Sequence, residues 1–330
     1  MANWNGKKVF VTGAGGFIGS HLCEALVDLG AEVTAMIRYS SRSDWGNLEF
    51  LPSETKGALR IVAGNVEDSD FLARNMAGHE CVFHLAALIG IPYSYASPKS
   101  YVRTNVEGTL NVLETCRKNE VERIVHTSTS EAYGTARYVP IDEDHPMQGQ
   151  SPYAASKIGA DKVAESYFLS FNLPVVTVRP FNSFGPRQSA RAVIPTIISQ
   201  ALAQPEIKLG ALDPVRDLNY VADTVSGFIA AAESESAIGK AINIGRGEGI
   251  TIGELARKIL DLMECEKEIV EEKERLRPPN SEVMQLVCNA DLAREILGWQ
   301  PKYSFDEGLT ETIVFVSEHP GFYKPDRYAC

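Results

Sequence analysis

The sequence predicts an α/β fold built on a doubly wound parallel sheet. From residue 7 to about 180, short apolar runs that are typical of buried strands alternate with helical stretches. The first run enters a glycine-rich turn and then a helix, and a polar motif follows the fifth run. Open α/β sheets bind ligands at the carboxyl ends of their strands, so this motif marks the expected site. The 330 residues, 44% of them hydrophobic, suffice for a sizeable core.

The glycine-rich turn follows the first predicted strand, residues 7–12, and precedes a helix predicted over 20–29. It reads GAGGFIG at 13–19, which is a G-x-x-G-x-x-G pattern. In a strand–turn–helix context, glycines let the backbone approach a pyrophosphate, and the helix N-terminus attracts its charge. The predicted cofactor contacts in this turn are Gly13, Gly15, Gly16, Phe17, Ile18 and Gly19.

The second predicted strand, residues 31–37, bears on the choice between NAD and NADP. An acidic residue at its carboxyl end usually binds the adenosine ribose of NAD, but here Arg38 and Ser40 follow without an acid. Arginine and serine suit the 2′-phosphate of NADP. Alternatively, Arg38 stacks on the adenine, which is compatible with NAD. Both cofactors stay open at this point.

Three further strands, predicted over 59–63, 81–87 and 123–127, complete the first part of the sheet. The second of them ends in small residues, which let a cofactor lie against the backbone. His84 lies within that apolar strand and is interpreted as a packed interior residue. Asn105, in a helix predicted over 101–118, is either an ordinary helix residue or a polar group turned to the site. The predicted cofactor contacts of this region are Asn65, Val66, Leu85, Ala86, Ala87, Asn105 and Thr127.

The strongest chemical signal is the pair Tyr153 and Lys157, together with Thr129, Ser130 and Glu131 after the fifth strand. A spacing of four places Tyr153 and Lys157 on one helix face, one turn apart. A lysine ammonium beside a phenol favours the phenolate and is expected to lower the tyrosine pKa. Such a tyrosine is a usable general base.

After a strand predicted over 175–179, the pattern changes. The predicted elements after it are less regular. They are a loop over 180–187, a helix over 192–204, a segment 216–223 that enters a helix, a late strand over 241–245, and helices over 251–265 and 291–297. A capping box of Thr251 and Glu254 opens the helix over 251–265. We expect a dinucleotide-binding domain over residues 1–180, rejoined by 217–245, and a mainly substrate-binding, smaller mixed α/β domain over 181–330.

Composition excludes several classes of partner. The net charge of −11 argues against a surface for nucleic acid or anionic membranes. No apolar run approaches the roughly 18 residues of a membrane span, and no signal peptide or metal site is predicted. Scattered cysteines without a C-x-x-C pair indicate a reducing, cytoplasmic setting. They are Cys23, Cys81, Cys116, Cys265, Cys288 and Cys330.

These motifs together resemble the extended short-chain dehydrogenase/reductases of the NAD-dependent epimerase/dehydratase family. The likeness is carried by TSTSEAYG at 127–134, SPYAASK at 151–157, RPFNSFGPRQ at 179–188, AVIP at 192–195 and RPPNSEV at 277–283. Within the family it is closest to nucleotide-sugar 4,6-dehydratases, of the GDP-mannose type and of the N-acetylglucosamine-nucleotide type of legionaminic acid synthesis. The resemblance implies a Rossmann-like fold, a tightly bound, recycled NAD or NADP, and a homodimer through helices near 101–118 and 153–169.

The resemblance also implies a reaction route. Hydride leaves C4 of a GDP- or UDP-N-acetylglucosamine while Tyr153 takes the proton of the C4 hydroxyl. Lys157 keeps Tyr153 ionised and binds the nicotinamide ribose. Thr129 hydrogen-bonds the C4 oxygen. Glu131 removes the C5 proton, water leaves, and hydride returns to C6. Many dehydratases carry Asp where this chain has Ser130, so Glu131 would serve as base and then as acid, with Ser130 orienting it.

Further site residues are carried over by position. Asn182, Arg216 and Arg277 match positions that contact the diphosphate, and arginine suits bidentate phosphate contacts. The remaining predicted contacts are Arg187 (phosphate), Val193 and Ile194 (base), Glu282 (nucleoside ribose) and Phe181 (cofactor).

Three other functions are alternatives to the dehydratase. A nucleotide-uronate decarboxylase shares the Ser-Glu pair, but the YAASK sequence favours the dehydratase. A 4-epimerase would leave Glu131 unexplained. A redox-sensing binding protein without catalysis would not require Thr129, Tyr153 and Lys157 together.

Overall fold

A seven-stranded parallel sheet forms the centre of the computed structural model, which describes residues 4–323. In chain order the strands are β1 (Lys8–Thr12), β2 (Glu32–Ile37), β3 (Arg60–Ala63), β4 (Cys81–His84), β5 (Arg123–Thr127), β6 (Val175–Pro180), β7 (Asn182–Phe184), β8 (Ile207–Leu209), β9 (Val215–Tyr220), β10 (Ala241–Ile244), β11 (Gly249–Thr251), β12 (Ile269–Glu271) and β13 (Gln285–Leu286). The central sheet has the order β3-β2-β1-β4-β5-β6-β10, so the predicted doubly wound fold is confirmed.

Helices cover both faces of this sheet, which is why its strands are continuous apolar runs rather than alternating ones. Val9, Val11 and Phe83 are fully buried. In chain order the α-helices are α1 (Phe17–Asp28), α2 (Ser53–Ala58), α3 (Ser69–Met76), α4 (Ile91–Ala96), α5 (Pro98–Tyr101), α6 (Gly108–Lys118), α7 (Pro152–Phe171), α8 (Val193–Ala203), α9 (Val221–Glu233), α10 (Ile252–Leu262), α11 (Asp291–Leu297) and α12 (Phe305–Glu318).

The strand register brings the functional strand ends to one edge. Thr12 pairs with His84, and His84 pairs with His126, so β1, β4 and β5 end at nearly the same level. On the other side of β5, Thr127 pairs with Val178 of β6. The segment that begins at Ser128 therefore leaves the sheet at the edge where ligands bind in open α/β folds.

A smaller sheet lies in the later part of the chain and is centred on β9. Strand β11 pairs with β9 in antiparallel fashion, whereas β13 and β7 pair with it in parallel. Leu286 of β13 lies opposite Arg216 of β9. This pairing carries the segment just before β13, which contains Arg277 and Glu282, toward the same strand.

The structure differs from the predicted elements in three places. The helix predicted over 101–118 is interrupted, because a π-helical segment, Val102–Glu107, lies between α5 and α6. The loop predicted over 180–187 contains β7, and the strand predicted over 81–87 already ends at His84. The capping box of Thr251 and Glu254 is confirmed at the start of α10.

The cysteines and the helix lengths bear on the predicted reducing setting and the predicted lack of a membrane span. Cys23, Cys81, Cys116, Cys265 and Cys288 are free thiols, and Cys330 lies outside the described residues. No helix within residues 4–323 has the length and apolar character to cross a membrane.

Candidate active site

Tyr153 and Lys157 lie in the first part of α7, which begins directly after Ser151. The Ser151 hydroxyl accepts a hydrogen bond from the Ala154 N–H (3.1 Å) and thereby caps the helix. Both functional side chains are buried, and the ring of Tyr101 packs edge-on against Tyr153 with centroids 6.2 Å apart. The Lys157 ammonium donates to the Thr127 carbonyl at 2.6 Å. Helix α7 is therefore tied to the carboxyl end of β5 at the level of the reactive pair.

Burial, rather than Lys157, controls the pKa of Tyr153 in the protein. Removal from water raises this pKa above its ordinary value, a hydrogen bond with Thr129 lowers it, and the nearby Glu131 carboxylate raises it. The expected lowered pKa of Tyr153 is therefore not found for the protein's own side chains, where burial outweighs any effect of Lys157. Burial also lowers the pKa of Lys157 to about 8, against the opposing effect of Asp161.

The polar motif after β5 forms a tight turn that presents Glu131. Thr129 has extended backbone, and its hydroxyl accepts from the Glu131 N–H at 3.2 Å at the start of a 3-10 helix, Ser130–Tyr133. Ser130 is buried, whereas Glu131 is only partly buried. The Glu131 carboxylate raises the pKa values of both Tyr153 and Arg216. Glu131 is therefore near both the reactive tyrosine and the predicted phosphate anchor Arg216.

The glycine-rich turn packs too closely for side chains. Gly13 has φ +70°, and a Cβ there would lie 2.7 Å from the Ala86 nitrogen. A Cβ on Gly19 would lie 2.3 Å from the Gly13 carbonyl oxygen, so these glycines allow α1 to begin directly on β1. The N-terminus of α1 has no side-chain cap and no acid in its first turn. The backbone N–H groups of the first turn, around Phe17 and Ile18, therefore suit a pyrophosphate as hydrogen-bond acceptor.

The other predicted cofactor residues are spread along the same sheet edge. Arg38 is exposed after β2, Asn65 forms a local turn with the Glu67 N–H, and Val66 is buried beside it. Leu85 and Ala86 both donate backbone N–H groups to the Thr12 hydroxyl at 3.1 Å, and Ala87 is partly buried after them. The Thr127 hydroxyl oxygen is buried without a hydrogen-bond partner among residues 4–323. An unsatisfied group at this edge suits a polar ligand.

Two predicted cofactor residues are engaged within the protein instead. The Asn105 amide accepts from the Leu88 N–H (2.8 Å) and donates to the Leu88 carbonyl (3.0 Å) and to Ser156 (2.9 Å). Its position in the π-helical segment turns it inward, so it braces the chain after β4 against α7. Phe181 is buried in the core, with its N–H bonded to the Ile244 carbonyl.

Three of the predicted substrate anchors come together beside Glu131. Arg216 and Arg277 both pair with Glu282, at 3.2 and 3.5 Å. Burial lowers the pKa of Arg216, and the Glu131 carboxylate opposes this effect. Asn182, at the start of β7, has a buried side-chain oxygen without a partner in the described chain. Two guanidinium groups that share one carboxylate keep a net positive charge, which suits an anionic ligand.

Three other predicted substrate contacts do not join this cluster. The Arg187 guanidinium pairs with Glu24 of α1 at 2.5 Å and contacts Ser20 at 3.5 Å. Its backbone has φ +66°, and its carbonyl accepts from the Asn47 side chain, which fixes the loop toward α1. Ile194 belongs to the hydrophobic core, and Val193 is partly buried at the start of α8.

Two residues of the site were not predicted from the sequence: Asn47, next to the glycine-rich turn, and Asp161, one helical turn after Lys157. The Asn47 N–H donates to the Gly15 carbonyl at 2.9 Å, so the chain after β2 crosses the glycine-rich turn. Nothing in the local sequence shows this long-range contact. Asp161, in contrast, follows Lys157 by four residues and is buried on α7, a spacing that was visible in the sequence.

Known proteins of three related activities resemble the chain over almost its whole length. It is 33% identical over 317 residues to the UDP-glucose 4-epimerase of Mycolicibacterium smegmatis, covering 93% of this chain and 98% of that protein. It is 31% identical over 324 residues to the UDP-N-acetyl-alpha-D-glucosaminuronate decarboxylase of Bacillus cytotoxicus, covering 94% and 98%. The chain also resembles the crystal structure of DesIV, a dTDP-glucose 4,6-dehydratase of Streptomyces venezuelae with NAD bound. The TM-score is 0.87 and the identity 29%, and the match covers 97% of this chain and 100% of that chain.

The sequence model of one family accounts for most of the chain, since that of GDP-mannose 4,6 dehydratase matches residues 10–312. This span contains the glycine-rich turn, the motif after β5, the Tyr153–Lys157 pair and the arginine cluster. The resemblance to the nucleotide-sugar epimerases and dehydratases is confirmed, and the chain belongs to the GDP-mannose 4,6 dehydratase family.

Proposed function

We propose that the protein is a nucleotide-sugar 4,6-dehydratase that converts GDP- or UDP-N-acetylglucosamine into its 4-keto-6-deoxy derivative. The observation that carries this proposal is that the Glu131 carboxylate, two residues after Thr129, is near enough to both Tyr153 and Arg216 to affect their pKa values. A sugar whose diphosphate contacts Arg216 and whose C4 hydroxyl meets Tyr153 brings its neighbouring carbons to Glu131. Oxidation at C4 alone requires no carboxylate there, whereas elimination across C5 and C6 requires a base.

Each side chain has a defined part in the proposed reaction. Bound NAD or NADP would accept hydride from C4 and return it to C6. Tyr153 takes the C4 hydroxyl proton, and Thr129 hydrogen-bonds the same oxygen. Burial disfavours the Tyr153 phenolate. The Lys157 ammonium, one helical turn away on α7, is proposed to offset part of this cost. Glu131 removes the C5 proton and delivers it to the C6 hydroxyl, which leaves as water, with Ser130 orienting the carboxylate. When hydride would return to C6, C5 takes up one proton, which balances the proton that Tyr153 took from the C4 hydroxyl.

The cofactor is proposed to be NAD or NADP and to stay bound between turnovers. The packed glycine turn and the uncapped start of α1 support dinucleotide binding, and DesIV was crystallised with NAD. Arg38 is exposed, which leaves it able to meet a 2′-phosphate or to stack on adenine.

We expect acid-denatured protein to release one of the two nucleotides, identified by mass spectrometry. If it is NADP, Arg38→Ala should weaken NADP binding and leave NAD binding nearly unchanged.

The arginine cluster is proposed to hold the nucleotide diphosphate, with Asn182 beside it and Glu282 on the nucleoside ribose. Arg216→Gln should raise KM by about 10-fold or more with a smaller effect on kcat, because a charge-assisted phosphate contact contributes roughly 1.5–3 kcal/mol. Steady-state kinetics with the nucleotide sugar measures both constants.

Arg187→Gln is the matched control for Arg216→Gln, since both arginines are buried and paired with a glutamate. The control should leave KM unchanged and lower the melting temperature. Equal KM effects in the two variants would contradict the assignment of Arg216.

The product decides between this proposal and a second candidate. The similarity to the Bacillus cytotoxicus decarboxylase favours a nucleotide-uronate decarboxylase as the alternative. Purified protein should be given GDP- and UDP-N-acetylglucosamine, UDP-glucose, and the corresponding uronates. Loss of water from a neutral hexose, seen by mass spectrometry, supports the dehydratase. Loss of carbon dioxide from a uronate supports the decarboxylase, and unchanged mass with C4 inversion identifies a 4-epimerase.

We further propose a cytoplasmic setting, a homodimer and two domains for this protein. A cytoplasmic setting is consistent with the free thiols of the described residues. A homodimer through α6 and α7 is supported by Leu110, Leu169 and Phe171, which expose 41, 70 and 52% of their surface on these helices. Light scattering in solution measures the mass of the assembly and thereby tests whether the protein is a homodimer. We also propose a dinucleotide-binding domain over residues 1–180, which residues 217–245 rejoin, and a mainly substrate-binding domain over residues 181–330.

A further inference from the structure

Asp161 is a buried carboxylate that joins three elements of the active site. On one side, the Ser128 hydroxyl donates to Asp161 Oδ2 at 2.6 Å, and His126 Nε2 lies 3.1 Å from Oδ1. On the other side, the Arg179 guanidinium contacts Oδ2 at 3.3 Å through Nη2. Asp161 lies on α7, Ser128 follows β5, and Arg179 lies on β6. One carboxylate therefore connects the helix of the reactive pair with two adjacent strand ends.

The bond to Ser128 bears directly on the reaction centre, because the next residue is Thr129. The Ser128 N–H also donates to the Val178 carbonyl at 2.7 Å, so both its backbone and its hydroxyl are fixed. Thr129 hydrogen-bonds Tyr153, which belongs to the same helix as Asp161. The Asp161–Ser128 bond thus ties the strand end that bears Thr129 to the helix that bears Tyr153.

Asp161 follows Lys157 by one turn of α7, and both residues are buried, so the carboxylate lies on the same face of the helix as the ammonium. Burial lowers the pKa of Lys157 to about 8, and Asp161 raises it. The groups facing this lysine from the adjacent strands are His84 on β4 and His126 on β5, whose imidazoles stack 5.8 Å apart. Burial lowers the pKa of each imidazole, so neither brings a competing positive charge at neutral pH.

The carboxylate itself is held in the ionised form by its surroundings. The His126 hydrogen bond and the charges of Arg179 and Lys157 keep the pKa of Asp161 below its usual value despite its burial. Arg179 is fixed in turn, because its Nη1 donates to the Tyr133 hydroxyl at 3.0 Å. Asp161 therefore carries a negative charge throughout the neutral range.

We propose that Asp161 is a positioning residue for the hydride-transfer site: it supplies the counter-charge of the Lys157 ammonium, and it holds the strand end bearing Thr129 against the helix bearing Tyr153. The inference rests on the proposed function in that Tyr153 and Lys157 act on a sugar hydroxyl. Its central claim concerns the charge of Lys157, which is measurable without any substrate.

The test is the titration of Lys157 by NMR in the full-length protein labelled with [13C,15N]lysine. The Lys157 ε-carbon signal is assigned by its absence in Lys157→Met. In Asp161→Asn, which keeps the side-chain shape and removes the charge, the midpoint should move down by about one pH unit or more, as expected for the loss of an opposite charge nearby. If a nucleotide sugar is oxidised, the alkaline limb of the rate profile should move down equally.

Two further variants keep the test decisive. Because Asp161→Asn leaves the buried Arg179 without its carboxylate and can unfold the protein, Asp161→Asn combined with Arg179→Gln removes both charges. The double variant should show the same downward shift. Ser128→Ala removes one hydrogen bond and keeps the carboxylate, so the Lys157 midpoint should stay in place while kcat falls without a change in KM.

An unchanged Lys157 midpoint in both Asp161 variants overturns the charge role, whatever the activity. Wild-type kcat in Ser128→Ala overturns the holding role. If no nucleotide sugar is oxidised by the wild type while the Lys157 midpoint shifts as expected, the proposed function fails and the charge role of Asp161 stands.

Discussion

Glu131→Gln should stop the loss of water from the nucleotide sugar and still permit oxidation at C4. The amide has nearly the same shape as the carboxylate but cannot take the C5 proton, so elimination should slow by about 10²–10⁴-fold, the usual contribution of a positioned general base. Tyr153, Thr129 and Lys157 remain in place, so the first half of the reaction continues. Reduced nicotinamide should accumulate in single-turnover absorbance, while the dehydrated product stays absent from mass spectra.

Glu165→Gln is the control for this variant, because Glu165 is an exposed glutamate on α7 that pairs with Lys162. It should leave both half-reactions at their wild-type rates. Elimination at the normal rate in Glu131→Gln would show that another group removes the C5 proton. A loss of C4 oxidation as well would show that Glu131 acts earlier than proposed.

Tyr153→Phe should block the first half-reaction, in contrast to Glu131→Gln. Phenylalanine fills the same space beside Tyr101, but it cannot accept the C4 hydroxyl proton, so oxidation should slow by about 10²–10⁴-fold. Neither reduced nicotinamide nor product should form, and KM should change little because the arginine cluster is intact. Stopped-flow absorbance of the nicotinamide measures the oxidation step directly.

Tyr138→Phe provides the matched control, since this exposed tyrosine bonds only to the Asp142 carboxylate within the described residues. Its activity should equal that of the wild type. Nicotinamide reduction at the wild-type rate in Tyr153→Phe would exclude Tyr153 as the base and would leave the Lys157 ammonium without its proposed partner.

The sequence predicted the central sheet well because its strands are buried on both faces and therefore form uninterrupted apolar runs. The strands of the smaller sheet were missed for the opposite reason. Strand β13 has only two residues and β7 and β11 have three each, which is too short for a periodic pattern. The π-helical segment was not predicted either, because the helical periodicity of residues 101–118 does not distinguish a π-helical turn from an α-helical one.

The site could be predicted where the chemistry is local in sequence, and not where it depends on distant partners. Tyr153 and Lys157 are one helical turn apart, and Glu131 lies two residues after Thr129. Arg187 and Arg216, in contrast, look alike in the sequence and differ only in the glutamate that each meets across the fold. The pKa of Tyr153 likewise depends on burial by the whole molecule, which no local pattern reports.

The pairing of β10 with β6 means that the first half of the chain is not a separable unit. Strand β10 closes one side of the sheet with residues Ala241–Ile244, long after β6 has been synthesised at Val175–Pro180. A fragment truncated near residue 180 would leave β6 as a bare, apolar sheet edge, a template for intermolecular strand pairing and aggregation. On the ribosome, too, this edge stays open until β10 has emerged. Expression of the dinucleotide-binding part by itself therefore requires that the later strand be supplied with it.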